Sequence, residues 1–198
     1  MESFFDSLRS YDFTIYYFFY NLGEGNPWFY RLFFFFAKFG MAIFLLSFTY
    51  LIWRKRINAF ICSFIAMGLG AMTDLIIFVF WRRPRPFVTH EDIVNPSLSL
   101  FSVERMSSFP SSHTYIVFAI AISVYLYGHR RLGIALLILA FGVALGRIGT
   151  GLHYPSDTAA GAILGVLSGV LAYRFVHKYE RHWEYATAQP EMDNEFSK

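Results

Sequence analysis

Long apolar runs broken by short basic clusters dominate this chain, and the runs lack the polar face that a helix on a soluble domain shows. A hydrocarbon core takes about 20 apolar residues per helix. Five stretches meet that need, at about 28–53, 57–80, 110–127, 132–149 and 157–176. Ahead of them, residues 3–22 mix Phe4, Phe5, Leu8, Tyr11, Phe13 and Tyr16 with Asp6, Arg9 and Asp12, which suits a helix lying in the membrane interface. A sixth span there is the alternative. The expected fold is all-α: a polytopic membrane helix bundle of five transmembrane helices plus an N-terminal interfacial helix. Residues 1–24 form that helix, 25–180 the membrane-embedded domain and 181–198 a short polar cytoplasmic tail, which shows no periodicity and is expected to fray.

Composition excludes an ordinary soluble domain, because 56% of the 198 residues are hydrophobic and 21% aromatic against 16% charged. The net charge of +3 does not point to nucleic acid, since the basic residues sit in groups beside the apolar runs rather than along one stripe. Arg54, Lys55 and Arg56, then Arg130 and Arg131, then Arg174, Lys178 and Arg181 fall at span ends that an alternating path puts on one side. The positive-inside rule makes that side cytoplasmic. Segments 81–109 and 147–156 then share the opposite face, where their arginines need another reason. No cleavable signal peptide is expected, because Glu2 and Asp6 stand where a basic region would be. Cys62 is the single cysteine and lies inside an apolar run, so no intrachain disulfide forms. Glycines at 161, 165 and 169, and at 142 and 146, are spaced for close helix approach.

Three blocks on the outer face carry candidate chemistry. In Trp81-Arg82-Arg83-Pro84-Arg85-Pro86, three guanidinium groups crowd together. Their planar donor forks match phosphate oxygens, although anchoring to lipid headgroups explains the block alone nearly as well. In Phe109-Pro110-Ser111-Ser112-His113-Thr114, Pro110 fits a first helical turn, and a helix start beside two hydroxyls is a ready anion site. A serine cap with a headgroup histidine is the bland reading. In the third block, Gly146 to Asp157, His153 and Asp157 stand four apart at a helix start. That spacing lets the carboxylate accept one imidazole N–H and leave the other nitrogen as a nucleophile. Such a pair alone is usually structural. All three on one face converge on phosphate chemistry, since polar groups near a membrane are functional by default.

Read together, the blocks resemble the three signature motifs of the type 2 phosphatidic acid phosphatase superfamily: Lys-x6-Arg-Pro, Pro-Ser-Gly-His and Ser-Arg-x5-His-x3-Asp. Residues 78–157 carry them in order, with Arg147, His153 and Asp157 at the required spacing. Three positions depart from the pattern: Phe78 replaces the lysine, Ser112 the glycine and Gly146 the serine. Arg82 or Arg83, within a turn of Arg85, is the expected replacement for the lysine charge, ahead of Lys38 in the first span. The run Arg-Pro-Phe-Val-Thr-His at 85–90 and Gly-Leu-His-Tyr-Pro at 151–155 are similar to small bacterial undecaprenyl-diphosphate phosphatases of the bacitracin-resistance type.

The resemblance implies a multi-pass lipid phosphatase of the bacterial cytoplasmic membrane, with its site on the extracytoplasmic side. Its implied substrate is a lipid phosphate or diphosphate, undecaprenyl diphosphate for the subgroup, with phosphatidylglycerophosphate, phosphatidic acid and lipid A phosphate as alternatives. It implies His153 as nucleophile, Asp157 as its orienter and His113 as general acid and base. Arg85, Arg147, Ser111, Ser112 and Arg82 would bind phosphate. No metal or other cofactor and no obligate protein partner is expected, and a zinc site of His, His and Asp is the rival. A lipid phosphotransferase and a noncatalytic lipid-binding protein are the other classes in play. Asp74, inside the second span, either reaches toward the arginines or hydrogen-bonds Thr73 or a neighbouring helix.

Overall fold

A helix start signal at Asn26-Pro27 separates the aromatic N-terminal segment from the first long apolar run. The Asn26 side chain accepts from the Trp28 N–H at 2.9 Å, and Pro27 occupies the first helical turn, where its missing N–H costs nothing. The computed structural model describes residues 2–90 and 107–196, with side chains described over 7–90 and 107–182. Among these, the elements are α1 (Glu2–Gly25), α2 (Pro27–Trp53), α3 (Ile57–Phe80), α4 (Pro86–Thr89), α5 (Ser112–Leu126), α6 (Arg130–Gly149) and α7 (Pro155–Phe196). Glu91, Asp92, Glu104 and Arg105, expected to overhang the site, lie outside the described residues.

Among the described residues, four helices are long and apolar enough to cross a membrane: α2, α3, α6 and the Pro155–His182 part of α7. The expected fifth span, α5, has only 15 residues, about 22 Å of helix against a core of about 30 Å. It is nevertheless the axis of the bundle. Val117, Ile120, Ala121 and Val124 are fully buried on it, packed with Phe44 and Leu51 of α2 and Leu136, Ala140 and Val143 of α6. α5 runs from one end of the bundle, where the Ser111 N–H donates to the Asp157 carbonyl at 3.0 Å, to the other, where the Tyr127 hydroxyl donates to Glu180 at 3.2 Å. Facing outward are Leu46, Phe64, Leu75, Phe141, Ile163, Leu171 and Phe175, all exposed. Apolar side chains inside and outside alike are what a bilayer solvent requires. The chain is an all-α membrane helix bundle.

The glycine spacing works as expected. A Cβ on Gly161 would stand 2.6 Å from the Ser111 carbonyl, and one on Gly165 only 2.4 Å from the Tyr115 carbonyl. These glycines let α7 touch the backbone of α5, and so set the two first turns side by side.

One feature differs from expectation. The polar tail does not end the last helix at about residue 181: α7 continues to Phe196, and Lys178, Glu180, Arg181, Glu184, Ala186, Ala188 and Gln189 are strong helix formers that need no apolar face. α1 is one helix, and Asp12, Tyr16 and Gly23 on it meet Ser156, Tyr154 and Gly149 in turn. Those contacts extend about 16 Å along the helix, yet every partner sits where α6 ends and α7 begins. α1 therefore lies across that end of the bundle.

Close α5–α7 contact predicts the outcome of a paired substitution. Gly165→Ala must push backbone apart, at a cost of about 1–3 kcal/mol, and lowers the thermal midpoint in detergent by roughly 5 °C. Gly68→Ala, with nothing within 4 Å of the added carbon, leaves the midpoint unchanged or raises it.

Candidate active site

His153 follows the end of α6, in the turn closed by the Leu152 and His153 N–H groups on the Arg147 carbonyl. Gly151 adopts a positive φ of 76° there, a conformation open to glycine at little cost. The turn places the imidazole in the interior, 2% exposed. Its Nδ1 lies 2.7 Å from the Ser108 carbonyl. A carbonyl only accepts, so Nδ1 carries the proton, and Nε2 holds the lone pair. Around that lone pair stand two guanidinium groups, Arg85 at 3.0 Å and Arg147 at 3.2 Å. Both arginines are buried, and Arg85 also donates to the Leu152 carbonyl at 2.9 Å.

Asp157 does not receive the imidazole proton directly, as its spacing from His153 suggested. Its Oδ2 lies 3.7 Å from Nδ1, beyond hydrogen-bond range, because that oxygen accepts from the Ser108 hydroxyl and from the Tyr154 N–H at 2.9 Å. Ser108 stands between them: its hydroxyl holds the carboxylate and its carbonyl holds the ring. The other oxygen of Asp157 accepts from Arg83 at 2.7 Å. Arg83 also reaches Asp12 of α1 at 2.7 Å and lies 4.0 Å above the Tyr154 ring. Burial pushes the Tyr154 phenol above its ordinary range, so it stays a neutral donor, directed to Thr89 at 3.2 Å.

The remaining expected site residues divide. His113 occupies the first turn of α5, half-buried, and the Ser111–Asp157 backbone bond sets that turn against the start of α7. Ser111 is buried, its N–H donating to the Asp157 carbonyl of α7 and its hydroxyl accepting from Thr114 within the first turn of α5 at 3.0 Å, so the N–H joins two helices rather than facing an anion. The Ser112 hydroxyl donates to Asp74 at 3.0 Å. Asp74 thus bonds a neighbouring helix and does not reach the arginines through that contact. Arg82 is exposed, its guanidinium 5.1 Å from the Phe78 ring centroid. The reason is local: residues 81–85 lie outside the helices, Trp81 and Arg85 are extended, and Arg83 stands before a proline, which favours extended backbone, and side chains along an extended chain alternate. Arg83 and Arg85 therefore share the inward side and Arg82 takes the other. Lys38 also points away, over Phe34 and Phe39 at 5.2 and 5.5 Å.

Sequence reasoning missed Ser108 and Asp12. Ser108 shows no distinguishing pattern among its serine neighbours. Asp12 does carry a signal, a carboxylate flanked by Tyr11 and Phe13 in an aromatic helix. The proton assignment at His153 is directly measurable: nitrogen NMR of histidine-labelled protein near neutral pH should show Nδ1 protonated and Nε2 bare. A population with the proton on Nε2 would contradict the geometry.

The model of the PAP2 superfamily matches residues 59–181. Over 174 residues the chain is 30% identical to the bacitracin transport permease protein BcrC of Bacillus licheniformis, covering 83% of this chain and 81% of that one. It is 32% identical over 106 residues to undecaprenyl-diphosphatase BcrC of Bacillus subtilis, covering 54% of this chain and 52% of the relative. The crystal structure of Aquifex aeolicus LpxE superposes with a TM-score of 0.69 at 26% identity, covering 82% of this chain and 94% of that one. With the superfamily match spanning residues 59–181 and 30% identity over 83% of its length to one relative, the chain belongs to the PAP2 superfamily.

Proposed function

We propose that the chain hydrolyses undecaprenyl diphosphate to undecaprenyl phosphate and phosphate at the extracytoplasmic face of the bacterial cytoplasmic membrane, recycling a lipid carrier for the cell envelope. The observation that carries this reading is the Nε2 lone pair of His153 aimed between the Arg85 and Arg147 guanidiniums. A terminal phosphate that exchanges into those hydrogen bonds brings its phosphorus in front of the nitrogen. His153 attacks, the phosphorus–oxygen bond to the lipid breaks, and His113 gives its proton to the leaving oxygen. His113 then takes a proton from water, which attacks the phosphohistidine and releases phosphate. Arg85 and Arg147 hold the equatorial oxygens as their charge rises. Asp157, through Ser108, favours the positive ring that forms on phosphorylation.

Substrate and side rest on separate support. The name of the Bacillus subtilis relative supports an isoprenoid diphosphate. Basic residues 54–56, 130–131, 174, 178 and 181 gather at the bundle end opposite the site, which supports an outward-facing site. The zinc alternative is disfavoured by charge, because a cation on Nε2 would sit beside two guanidiniums at 3.0 and 3.2 Å.

A lipid panel tests the proposal. Purified protein in strong chelator is offered undecaprenyl diphosphate, phosphatidylglycerophosphate, phosphatidic acid and a lipid A phosphate, and phosphate release is compared as kcat/KM. The isoprenoid diphosphate should rank first, and His153→Ala should reduce release by a factor of about 10⁴ or more. Its ranking last, or loss of all activity in chelator, would sink the assignment.

A further inference from the structure

We infer that Asp12 of α1, together with Arg83, is a positioning residue of the reaction, holding Asp157 and the first turn of α7 in register with His153. The inference rests on the proposed role of His153 as nucleophile and goes beyond it. Asp12 lies well before the segment that the superfamily model matches, which begins at residue 59.

The contacts of Asp12 all lead to Asp157 or to its immediate neighbour. Oδ1 accepts from the Ser156 N–H at 2.8 Å, and Oδ2 accepts from the Ser156 hydroxyl at 2.6 Å and from Arg83 at 2.7 Å. Ser156 N–H belongs to the first turn of α7, so Asp12 caps that helix from another element, where a negative charge is favoured. The other arm of Arg83 donates to Asp157 at 2.7 Å and to the Ser156 hydroxyl at 2.7 Å. Arg83 acts through its backbone too, its carbonyl accepting from the Ser108 N–H at 2.8 Å. Ser108 in turn holds both the carboxylate of Asp157 and the ring of His153. An unbroken chain of hydrogen bonds therefore runs from α1 to the nucleophile.

Docking of α1 does not require this carboxylate. Tyr16 and Tyr20 are already buried against Ile148 and Tyr154, with Phe13, Phe19 and Phe87 packed around them. Burial of that kind is non-directional and holds α1 to the bundle without a bond to Ser156 or Arg83. Asp12, with its side chain only 11% exposed, fixes the register by demanding three donors at set positions. With Oδ1 of Asp157 tied to Arg83, Oδ2 is left turned toward Ser108. Displacing a catalytic group by about 1 Å costs on the order of a hundredfold in rate, and that is the scale at which Asp12 acts.

The test uses the full chain in detergent, with Asp12→Ala, Asp12→Asn, Arg83→Lys, Arg83→Ala and His153→Ala measured for kcat, KM and thermal midpoint on undecaprenyl diphosphate. Asp12→Ala should lower kcat roughly ten- to hundredfold while KM stays within about threefold, the split expected of a group that positions the chemistry without touching substrate. Arg83→Lys should recover kcat relative to Arg83→Ala. Should Asp12→Ala not fold, Asp12→Asn carries the same test: it keeps the shape and loses the charge, and its kcat should fall at least about threefold with KM held. A wild-type kcat in the Asp12 variants, a loss seen only in KM, or a loss that matches the unfolded fraction overturns the inference. Turnover surviving in His153→Ala would instead overturn the nucleophile assignment, so the two failures are told apart.

Discussion

Nδ1 of His153 lies 2.7 Å from the Ser108 carbonyl, and the rest of the site depends on that hydrogen bond. With the Nδ1 proton committed to Ser108, the opposite nitrogen presents a lone pair, and the ring cannot rotate without breaking the bond. Arg85 and Arg147 then do two jobs with the same donors. They stand against the lone pair, and they are the groups that a phosphate would meet first.

The bundle is built to hold that geometry. α5 is too short for an ordinary span but is central, and its first turn is pinned to α7 by the Ser111–Asp157 backbone bond and by glycines at 161 and 165 that remove any spacer between the helices. α6 delivers Arg147 in its last turn, and the turn that follows returns His153 to the same point. Three helix ends thus converge on one buried volume, while the outer surface remains apolar for lipid. α1 closes the arrangement from above, joined to it by aromatic packing and by one carboxylate.

Much of this was legible in the sequence. The apolar runs located α2, α3, α6 and the start of α7 within a few residues, and the motif resemblance associated Arg147, His153 and Asp157, which lie within one turn and its flanking helices. What was not legible depended on backbone direction or on distant partners. Arg82 and Arg83 are indistinguishable until the 81–85 segment is known to be extended, at which point alternation selects Arg83. The carboxylate–imidazole pairing looked direct because four residues separate the two, yet Ser108, 45 residues before His153 in the chain, occupies the place between them. Ser111 looked like an anion donor because a helix start usually offers one, and only packing against α7 shows that its N–H is already engaged.

The central claim is that Nε2 of His153 forms a bond to phosphorus. Rapid quenching of the enzyme with substrate labelled in its terminal phosphate tests this most directly. A phosphohistidine at His153 predicts label on the protein within the first turnover, stable in alkali, lost in acid, and located by peptide mass spectrometry to residue 153. Product formed at the normal rate with no protein-bound label, and with inverted configuration at phosphorus, would show direct attack by water and contradict it.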